Sequence, residues 1–232
     1  MISIVMPTLW KGKFYKEMLP ILSAHELVGE IIIIDNDPDN VDKEIVSLKK
    51  IKYLPQKENI YVNPAWNLGV EVSSYDRICL YSDDVLFDPL VIDAVYPFMS
   101  EDKGVTGFDF DSISENHQSP FRAEWEMQIP QIVPTWSFHY RFGICMFMHK
   151  NSFHKISDDY KIFHGDTHQF DVNSSLNRQN YRIENYACMT KMMSSSRNFN
   201  SIIEEDSRKY KENNPSEGLV MNLMEEVARS LL

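Results

Sequence analysis

The chain has 232 residues, of which 23 are basic and 34 are acidic, so its formal net charge is −11 at pH 7. Hydrophobic residues make up 43 % of the positions, and the aromatic residues are 13 Phe, 11 Tyr and 4 Trp. This composition excludes an intrinsically disordered chain and argues against broad nonspecific binding of nucleic acids. The 8 glycines include no GxGxxG or GxxxxGK[ST] spacing, which excludes these two phosphate-binding loops.

The chain shows no targeting or membrane signal in its sequence. No stretch approaches the ~20 apolar residues of a membrane span, and the first ten residues, MISIVMPTLW, lack the charge and length of a secretory signal. Cys79, Cys145 and Cys188 lie far apart and form no CxxC pair, which favours buried free thiols over a redox or zinc site. We therefore expect a cytoplasmic protein.

Strand and helix patterns alternate over the first hundred residues. A β-rich run at 2–6 precedes a stretch at 14–22 whose apolar residues have helical spacing. Further strands are predicted at 30–35, 60–62 and 77–81, and further helices at 63–72 and 89–99. Such alternation predicts an α/β fold with a mostly parallel sheet.

The pattern changes after residue 104. Strands are predicted at 104–108 and 142–148, and the polar, aromatic and proline-containing segment between them, 109–135, is predicted to be a long surface excursion. Helices are predicted at 151–156, 168–179, 199–212 and 216–231. Because no repeat, low-complexity tract or linker divides the chain, we expect a single domain over residues 1–232.

Polar side chains follow each predicted strand of the first half. The residues at these strand ends are Pro7, Thr8, Asp35, Asn36, Asn63, Ser82, Asp83 and Asp84. Ligands of open α/β sheets bind at the carboxyl ends of the strands. Burying two adjacent carboxylates after a strand costs folding free energy unless a cation neutralises them. Carboxylate oxygens are hard ligands, which suit Mg²⁺ or Mn²⁺. The alternative is that Asp83 and Asp84 only cap a turn.

Four segments resemble, in order and separation, the nucleotide-binding half of GT-A glycosyltransferases, especially those of family 2. They are IVMPT at 4–8, IIDN at 33–36, NPAWNLG at 63–69 and LYSDD at 80–84. The resemblance covers about residues 2–90 and implies a GT-A-like, Rossmann-like fold with a mostly parallel central sheet flanked by helices. It implies a nucleotide-sugar-binding half at about 1–100 and an acceptor-binding half, with the C-terminal helices, at about 101–232.

The resemblance assigns donor-binding roles to residues of the first half. Pro7 and Thr8 would border the uridine pocket, and Asp35 would hydrogen-bond the base or the ribose. Asn67 and Gly69 would let a helix approach the nucleotide. For Pro7 and Asn67 the alternative is ordinary turn and helix-start chemistry.

The resemblance also implies a metal that bridges the diphosphate of the donor. The first acid of the family's Asp-x-Asp motif aligns with Ser82, so Asp84 is the better metal ligand, and Asp83 is assigned to the ribose or to the same metal. The segment 188–196, where relatives have a late histidine, contains none. Lys191 or Arg197 would then offset the charge of the diphosphate.

An inverting transferase needs a base for the acceptor hydroxyl, opposite the departing diphosphate. The segment at 163–166 resembles the place where the family has this acid, so Asp166 is the predicted base, whereas Asp171 fits the spacing to Tyr181 better. The alternative for Asp166 is a helix N-cap. Trp136 is positioned like the aromatic residue that borders the acceptor site in relatives, and its alternative is core filling.

The leading expectation is a metal-assisted, inverting hexosyl- or pentosyltransferase with a nucleotide-sugar donor, a UDP-sugar. Two acceptor classes remain open: a saccharide or glycoconjugate, and a hydroxymethylated base in phage DNA. A lysine-rich segment at 49–57 favours DNA and the charge of −11 opposes it. The alternative functions are a nucleotidyltransferase, which normally has a glycine-rich loop after its first strand, and a non-catalytic nucleotide-sugar-binding module.

Overall fold

The computed structural model describes residues 1–109, 113–114, 129–138, 142–184, 188–190 and 199–213. The strands within these residues are β1 (Ile2–Thr8), β2 (Val28–Asp35), β3 (Ile51–Pro55), β4 (Arg77–Tyr81), β5 (Val85–Phe87), β6 (Lys103–Phe108), β7 (Ile113–Ser114), β8 (Gln131–Thr135), β9 (Cys145–His149), β10 (Gln179–Glu184) and β11 (Cys188–Thr190). The helices are α1 (Tyr15–Ala24), α2 (Lys43–Val46), α3 (Val62–Glu71), α4 (Leu90–Val95), α5 (Gly165–Ser175) and α6 (Asn200–Asn213). The predicted helix at 216–231, Lys191 and Arg197 lie outside the described residues.

The centre of the molecule is an eight-stranded sheet in the order β3-β2-β1-β4-β9-β6-β10-β8. Neighbours pair in parallel except that β9 is antiparallel to β4 and β6, and β8 is antiparallel to β10. A second sheet of three short strands has the order β5-β11-β7. The prediction of a mostly parallel α/β sheet is therefore confirmed.

Apolar side chains fill both faces of this sheet. In β2, Ile31 and Ile33 join the core on one face, whereas Ile32 and Ile34 join the core on the other, and all four are fully buried. Helix α1 packs on the first face, and α3 and α5 pack on the second. This arrangement explains the continuous run of isoleucines, because a strand covered on both faces needs apolar residues at every position.

One strand of the first half was predicted at the wrong place. The structure has β3 at Ile51–Pro55, paired with β2, and no strand at 60–62. Tyr61 has a left-handed backbone (φ 67°), and α3 begins at the next residue. The apolar Ile60 and Tyr61 are therefore the entry to a helix and not a strand.

Two predictions for the second half were also wrong. The excursion predicted over 109–135 includes the edge strand β8, and the helix predicted at 151–156 is only a short 3₁₀ turn at Lys150–Ser152. The three cysteines are buried and unpaired, as predicted. Within the described residues, no helix has the length and apolar character needed to cross a membrane.

Candidate active site

A cleft lies where β1, β2 and β4 end, beside the start of α3. This is the carboxyl edge of the parallel strands, where ligands of such sheets bind. The residues that line the cleft include Pro7, Thr8, Asn36, Tyr61, Trp66, Ser82, Asp83, Ile162 and Phe199. Of the residues predicted to bind the donor, Pro7, Thr8 and Asp83 are on its wall.

The acidic turn after β4 is held by the loop after β1. Thr8 Oγ1 donates to Asp83 Oδ2 at 2.6 Å, and the Gly12 N–H donates to the same carboxylate. A Cβ on Gly12 would lie 2.4 Å from the carbonyl oxygen of Asp83, so only glycine permits this approach. Burial, with the charge of Asp84 adding to it, raises the pKa of Asp83 to about 6, and the bond from Thr8 partly offsets the rise.

The two acids of this turn are candidates to hold a metal. Asp83 and Asp84 are both 4 % exposed, and burial, with the adjacent charge of Asp84 adding to it, raises the pKa of Asp83. Among the described residues, no group of three or more acids, histidines or cysteines assembles that could hold an ion. Carboxylate oxygens suit Mg²⁺ or Mn²⁺, and a cation held by this pair would need its remaining ligands from a substrate and from water. Of the two acids, Asp83 lines the cleft and Asp84 follows it directly.

Asp35 lies behind the wall of the cleft and not on it. Its carboxylate is fully buried, and it accepts the Asp37 N–H at 2.8 Å and the Tyr53 hydroxyl at 2.7 Å. Burial and this bond raise the pKa of Tyr53 to about 12. The residue of β2's end that lines the cleft is Asn36, whose Oδ1 accepts the Ile60 N–H at 3.0 Å. The sequence placed Asn36 at a strand end but assigned it no role.

The structure gives Asn67 and Gly69 packing contacts away from the cleft. Asn67 accepts the Ile156 N–H at 3.0 Å and donates to the Ile156 carbonyl at 2.9 Å. A Cβ on Gly69 would lie 2.2 Å from the side chain of Val5, so this glycine lets α3 approach β1 closely. Both residues fix the position of α3, and neither is part of the cleft wall.

Asp166 is brought to the same edge of the sheet as Asp83. It lies in the first turn of α5, where its Oδ2 accepts the Gly143 N–H at 3.1 Å and its Oδ1 accepts the Thr167 N–H at 2.9 Å. The residue after Gly143, Ile144, accepts the Ser82 N–H at 3.1 Å. One short turn therefore connects Asp166 to the acidic turn. Asp166 is not the N-cap of α5, because that position belongs to His164.

Asp171 has a different neighbourhood. It lies five residues further along α5, about 7.5 Å along the helix axis, and it accepts the Tyr210 hydroxyl of α6 at 3.2 Å. The described contacts thus direct Asp171 toward α6 and Asp166 toward the acidic turn.

The structure does not bring Trp136 to the cleft. It follows Thr135, which pairs with Asn180 near the first residue of β10, and Gln179 in turn pairs with Lys103 at the start of β6. Trp136 therefore lies at the amino-terminal edge of the parallel strands, opposite the cleft. It is 68 % exposed, so it does not fill the core.

Two aromatic residues of the cleft were missed by the sequence analysis. The rings of Tyr61 and Phe199 pack edge to face with their centroids 6.0 Å apart, and the Lys161 ammonium lies 5.2 Å from the centre of the Tyr61 ring. Tyr61 was missed because its segment has the composition of a strand. Phe199 comes from the residue before α6, and no local pattern reveals that this residue reaches the first half.

Comparison with known proteins agrees with this geometry. The family model described as glycosyl transferase family 2 matches residues 3–157. The fold is similar to that of S. aureus TarS 1-349, with a TM-score of 0.56 and 12 % identity over 94 % of this chain and 73 % of that chain. It is also similar to S. aureus TarS 1-349 in complex with UDP, with a TM-score of 0.61 and 13 % identity over 90 % of this chain and 65 % of that chain.

No curated protein matches the chain at a significant level. The family match covers more than half of the chain, it confirms the resemblance seen in the sequence, and it decides against the nucleotidyltransferase alternative. The chain belongs to glycosyl transferase family 2 and is a glycosyltransferase.

Proposed function

We propose that the protein transfers a sugar from a UDP-sugar to a hydroxyl acceptor with inversion at the anomeric carbon. The observation that carries the proposal is the placement of Asp166 beside the acidic turn, through the bonds from Gly143 to Asp166 and from Ser82 to Ile144. A structure described as a UDP complex is among the similar folds, which supports a uridine nucleotide as the donor.

The cleft supplies the donor-binding residues of this proposal. Pro7 and the rings of Tyr61 and Phe199 present apolar surface to a nucleoside, and Thr8 and Asp83 present polar atoms to its ribose. Asp35 acts indirectly, because its buried bonds hold the strand end that carries Asn36. Asn67 and Gly69 act in the same indirect way, by fixing α3, which bears Trp66 of the cleft wall.

Asp84, assisted by Asp83, would hold the Mg²⁺ or Mn²⁺ that the family resemblance implies. A bound ion would offset the negative charge of the departing diphosphate. The chain itself contributes two buried carboxylates that are adjacent in the sequence, and Thr8 and Gly12 fix that of Asp83.

Asp166 is the proposed general base. The acceptor hydroxyl gives its proton to the Asp166 carboxylate, its oxygen bonds to the anomeric carbon, and the bond from that carbon to the diphosphate breaks with its electron pair leaving on the diphosphate. The N–H groups of Gly143 and Thr167 hold the carboxylate in one orientation. Attack from the face opposite the leaving group inverts the anomeric configuration.

A saccharide or glycoconjugate is the favoured acceptor. In the lysine-rich segment, Lys50 Nζ donates to the His25 carbonyl at 2.8 Å and Lys52 Nζ donates to the Val72 carbonyl at 2.6 Å. These ammonium groups are committed to the protein, which weakens the case for a DNA-binding surface. The net charge of −11 opposes DNA as well.

The direct test is a screen for hydrolysis of UDP-glucose, UDP-galactose, UDP-N-acetylglucosamine, GDP-mannose and dTDP-glucose, together with calorimetric titration of UDP. We expect UDP to bind and at least one UDP-sugar to be hydrolysed. Asp84→Asn should lose hydrolysis, whereas Asp88→Asn should not, because the Asp88 carboxylate accepts the Leu90 N–H at the start of α4 and asparagine can accept the same bond. Binding of UDP without turnover of any donor would instead support a non-catalytic module.

A further inference from the structure

One buried carboxylate has no part in the chemistry proposed above. Asp206 of α6 is 1 % exposed, and it accepts the N–H groups of three consecutive residues, Lys161, Ile162 and Phe163, at 2.7–3.1 Å. Successive N–H groups that converge on one point form a cradle for an anion, and here a side chain of the protein fills it. A carboxylate without such bonds would be costly to bury at this place.

The same loop is held from its other side by Asn63 of α3. Its Nδ2 donates to the carbonyls of Tyr160 at 3.2 Å and Phe163 at 2.9 Å, and its N–H donates to the Lys161 carbonyl at 2.9 Å. The loop at 160–163 therefore has three of its N–H groups bound to α6 and three of its carbonyls bound to α3. Neither helix is adjacent to this loop in the sequence.

His164 and Gly165 connect this loop to the proposed base, and both have fixed positions. His164 has a left-handed backbone (φ 63°), which is unfavourable for a residue with a side chain, and its ring stacks on Tyr210 of α6 at 4.1 Å. A Cβ on Gly165 would lie 2.2 Å from Asn63 Oδ1, so the chain has no room to shift there. Asp166 follows directly.

We propose that Asp206 is a positioning residue for the base. By binding the loop at 161–163, it fixes where α5 begins and thus where the Asp166 carboxylate meets Gly143. Phe199, which precedes α6, lines the donor cleft, so this helix contacts both the donor wall and the loop that leads to the base. The inference rests on the proposed function, because it requires Asp166 to act in the reaction.

Asp206→Asn tests the proposal, because asparagine has the same size but loses the negative charge, and its N–H₂ group replaces one of the two oxygens that accept the loop N–H groups. We expect kcat for UDP-sugar hydrolysis to fall by about 10–100-fold, as for a base displaced by up to about 1 Å. The dissociation constant of UDP should change by a smaller factor, because Ile162 is the one residue of this loop that lines the cleft. The matched control is Glu205→Gln, which removes the same charge from an exposed site on the same helix, where Glu205 pairs with Lys209 at 2.8 Å. This control should keep the wild-type rate.

A double-mutant cycle separates positioning from a general loss of folded enzyme. Rates are expressed per UDP-binding site, and Asp206→Asn is combined with Asp166→Asn. If Asp206 acts through Asp166, it causes no further loss in the Asp166→Asn background. An equal loss in both backgrounds, or a wild-type rate for Asp206→Asn alone, would overturn the proposal.

Two further outcomes are covered by the same set of variants. If Asp206→Asn does not fold, Asp206→Ser, which leaves space for water to bind the three N–H groups, is measured in its place with the same expected loss. If Asp166→Asn has the wild-type rate, the proposed base is wrong and this inference falls with it. If Asp166→Asn is inactive while the Asp206 variants are active, only this inference is wrong.

Discussion

At the scale of one residue, Asp83 is a buried carboxylate in the wall of the cleft that is still charged at neutral pH. Its carboxylate is buried next to Asp84, which raises its pKa to about 6, while Thr8 and Gly12 still hold it by hydrogen bonds. The charged form is thus retained at neutral pH at a cost in folding free energy. Because the folded pKa is raised, the stabilising contribution of Asp83 is complete at low pH and is lost as the pH rises through about 6.

A divalent cation should recover this lost stability. We expect Mg²⁺ or Mn²⁺ to raise Tm by about 3 °C or more at pH 7.5. The rise should be much smaller at pH 5, because protonated Asp83 is a poor metal ligand. Thermal unfolding at the two pH values measures the difference. Asp88→Asn should keep the gain, and Asp84→Asn should lose it. An equal gain at both pH values, or an undiminished gain in Asp84→Asn, would contradict the assignment.

Gly143 is a second position where one atom decides the geometry of the site. A Cβ there would lie 2.5 Å from the Cβ of Asp166 and 2.7 Å from its Oδ2. Gly143→Ala should therefore displace the carboxylate and lower kcat of donor hydrolysis by about 10–100-fold, with little change in UDP binding. Gly29→Ala is the control, because its Cβ would crowd the ring of Tyr75, away from the cleft. Equal rates for Gly143→Ala and the wild type would show that Asp166 does not act from this position.

At the scale of one element, α3 contains a motif that is recognisable in the sequence, but the contacts of its asparagine side chains could not be predicted from it. The segment NPAWNLG was correctly placed on a helix beside the donor cleft, and Trp66 of this segment lines it. The side chains of Asn63 and Asn67, however, are one turn apart on α3 and hold the segment 156–163 that leads to α5. The sequence does not show this, because the bonded partners lie about ninety to a hundred residues away along the chain.

Asn67→Leu distinguishes the packing role from a direct donor contact. The substitution removes two hydrogen bonds and leaves the N–H and carbonyl of the buried Ile156 without them. We expect the free energy of unfolding to fall by about 2–4 kcal/mol, while the UDP dissociation constant of the folded variant stays unchanged. Denaturant titration and calorimetry measure the two quantities. Unchanged stability with a tenfold loss of UDP affinity would restore the role first predicted for Asn67.

Strands in the middle of the sheet that are buried on both faces were predictable from the sequence, whereas the partly buried strands at its edges were missed. The isoleucine run of β2 is buried on both faces and stands out in the sequence. Strand β3 lies at the edge of the sheet, is only partly buried and is preceded by lysines, so its composition did not favour a strand. Strand β8 contains Pro134 and also lies at an edge, which is where proline is tolerated.

At the scale of the whole molecule, the proposed functional residues lie at one end of the parallel strands and not at the other. The carboxyl edge of the parallel strands carries the cleft, the acidic turn and Asp166, whereas the opposite edge carries the exposed Trp136. The family resemblance predicted Trp136 at the acceptor site from its position in the sequence. Pairing of β8 against β10 reverses the direction of this strand and moves the residue after it away from the cleft.

Trp136→Ala should therefore leave catalysis unaltered. We expect wild-type rates both for hydrolysis of the donor and for transfer to p-nitrophenyl glycosides used as acceptor probes. Stability should also change little, because the side chain is 68 % exposed. A raised KM for the acceptor probe at an unchanged rate of hydrolysis would mean that this edge of the sheet contributes to acceptor binding after all.

The central claim is that Asp166 is the base of a UDP-sugar transferase, and its most direct test compares Asp166→Asn with Asp171→Asn in the UDP-sugar hydrolysis assay. Asparagine preserves the shape of each side chain and removes the proton acceptor. We predict that kcat falls by about 10²–10⁴-fold in Asp166→Asn, with UDP affinity retained, and stays near the wild-type value in Asp171→Asn. Loss of activity in Asp171→Asn alone, with Asp166→Asn fully active, would contradict the account.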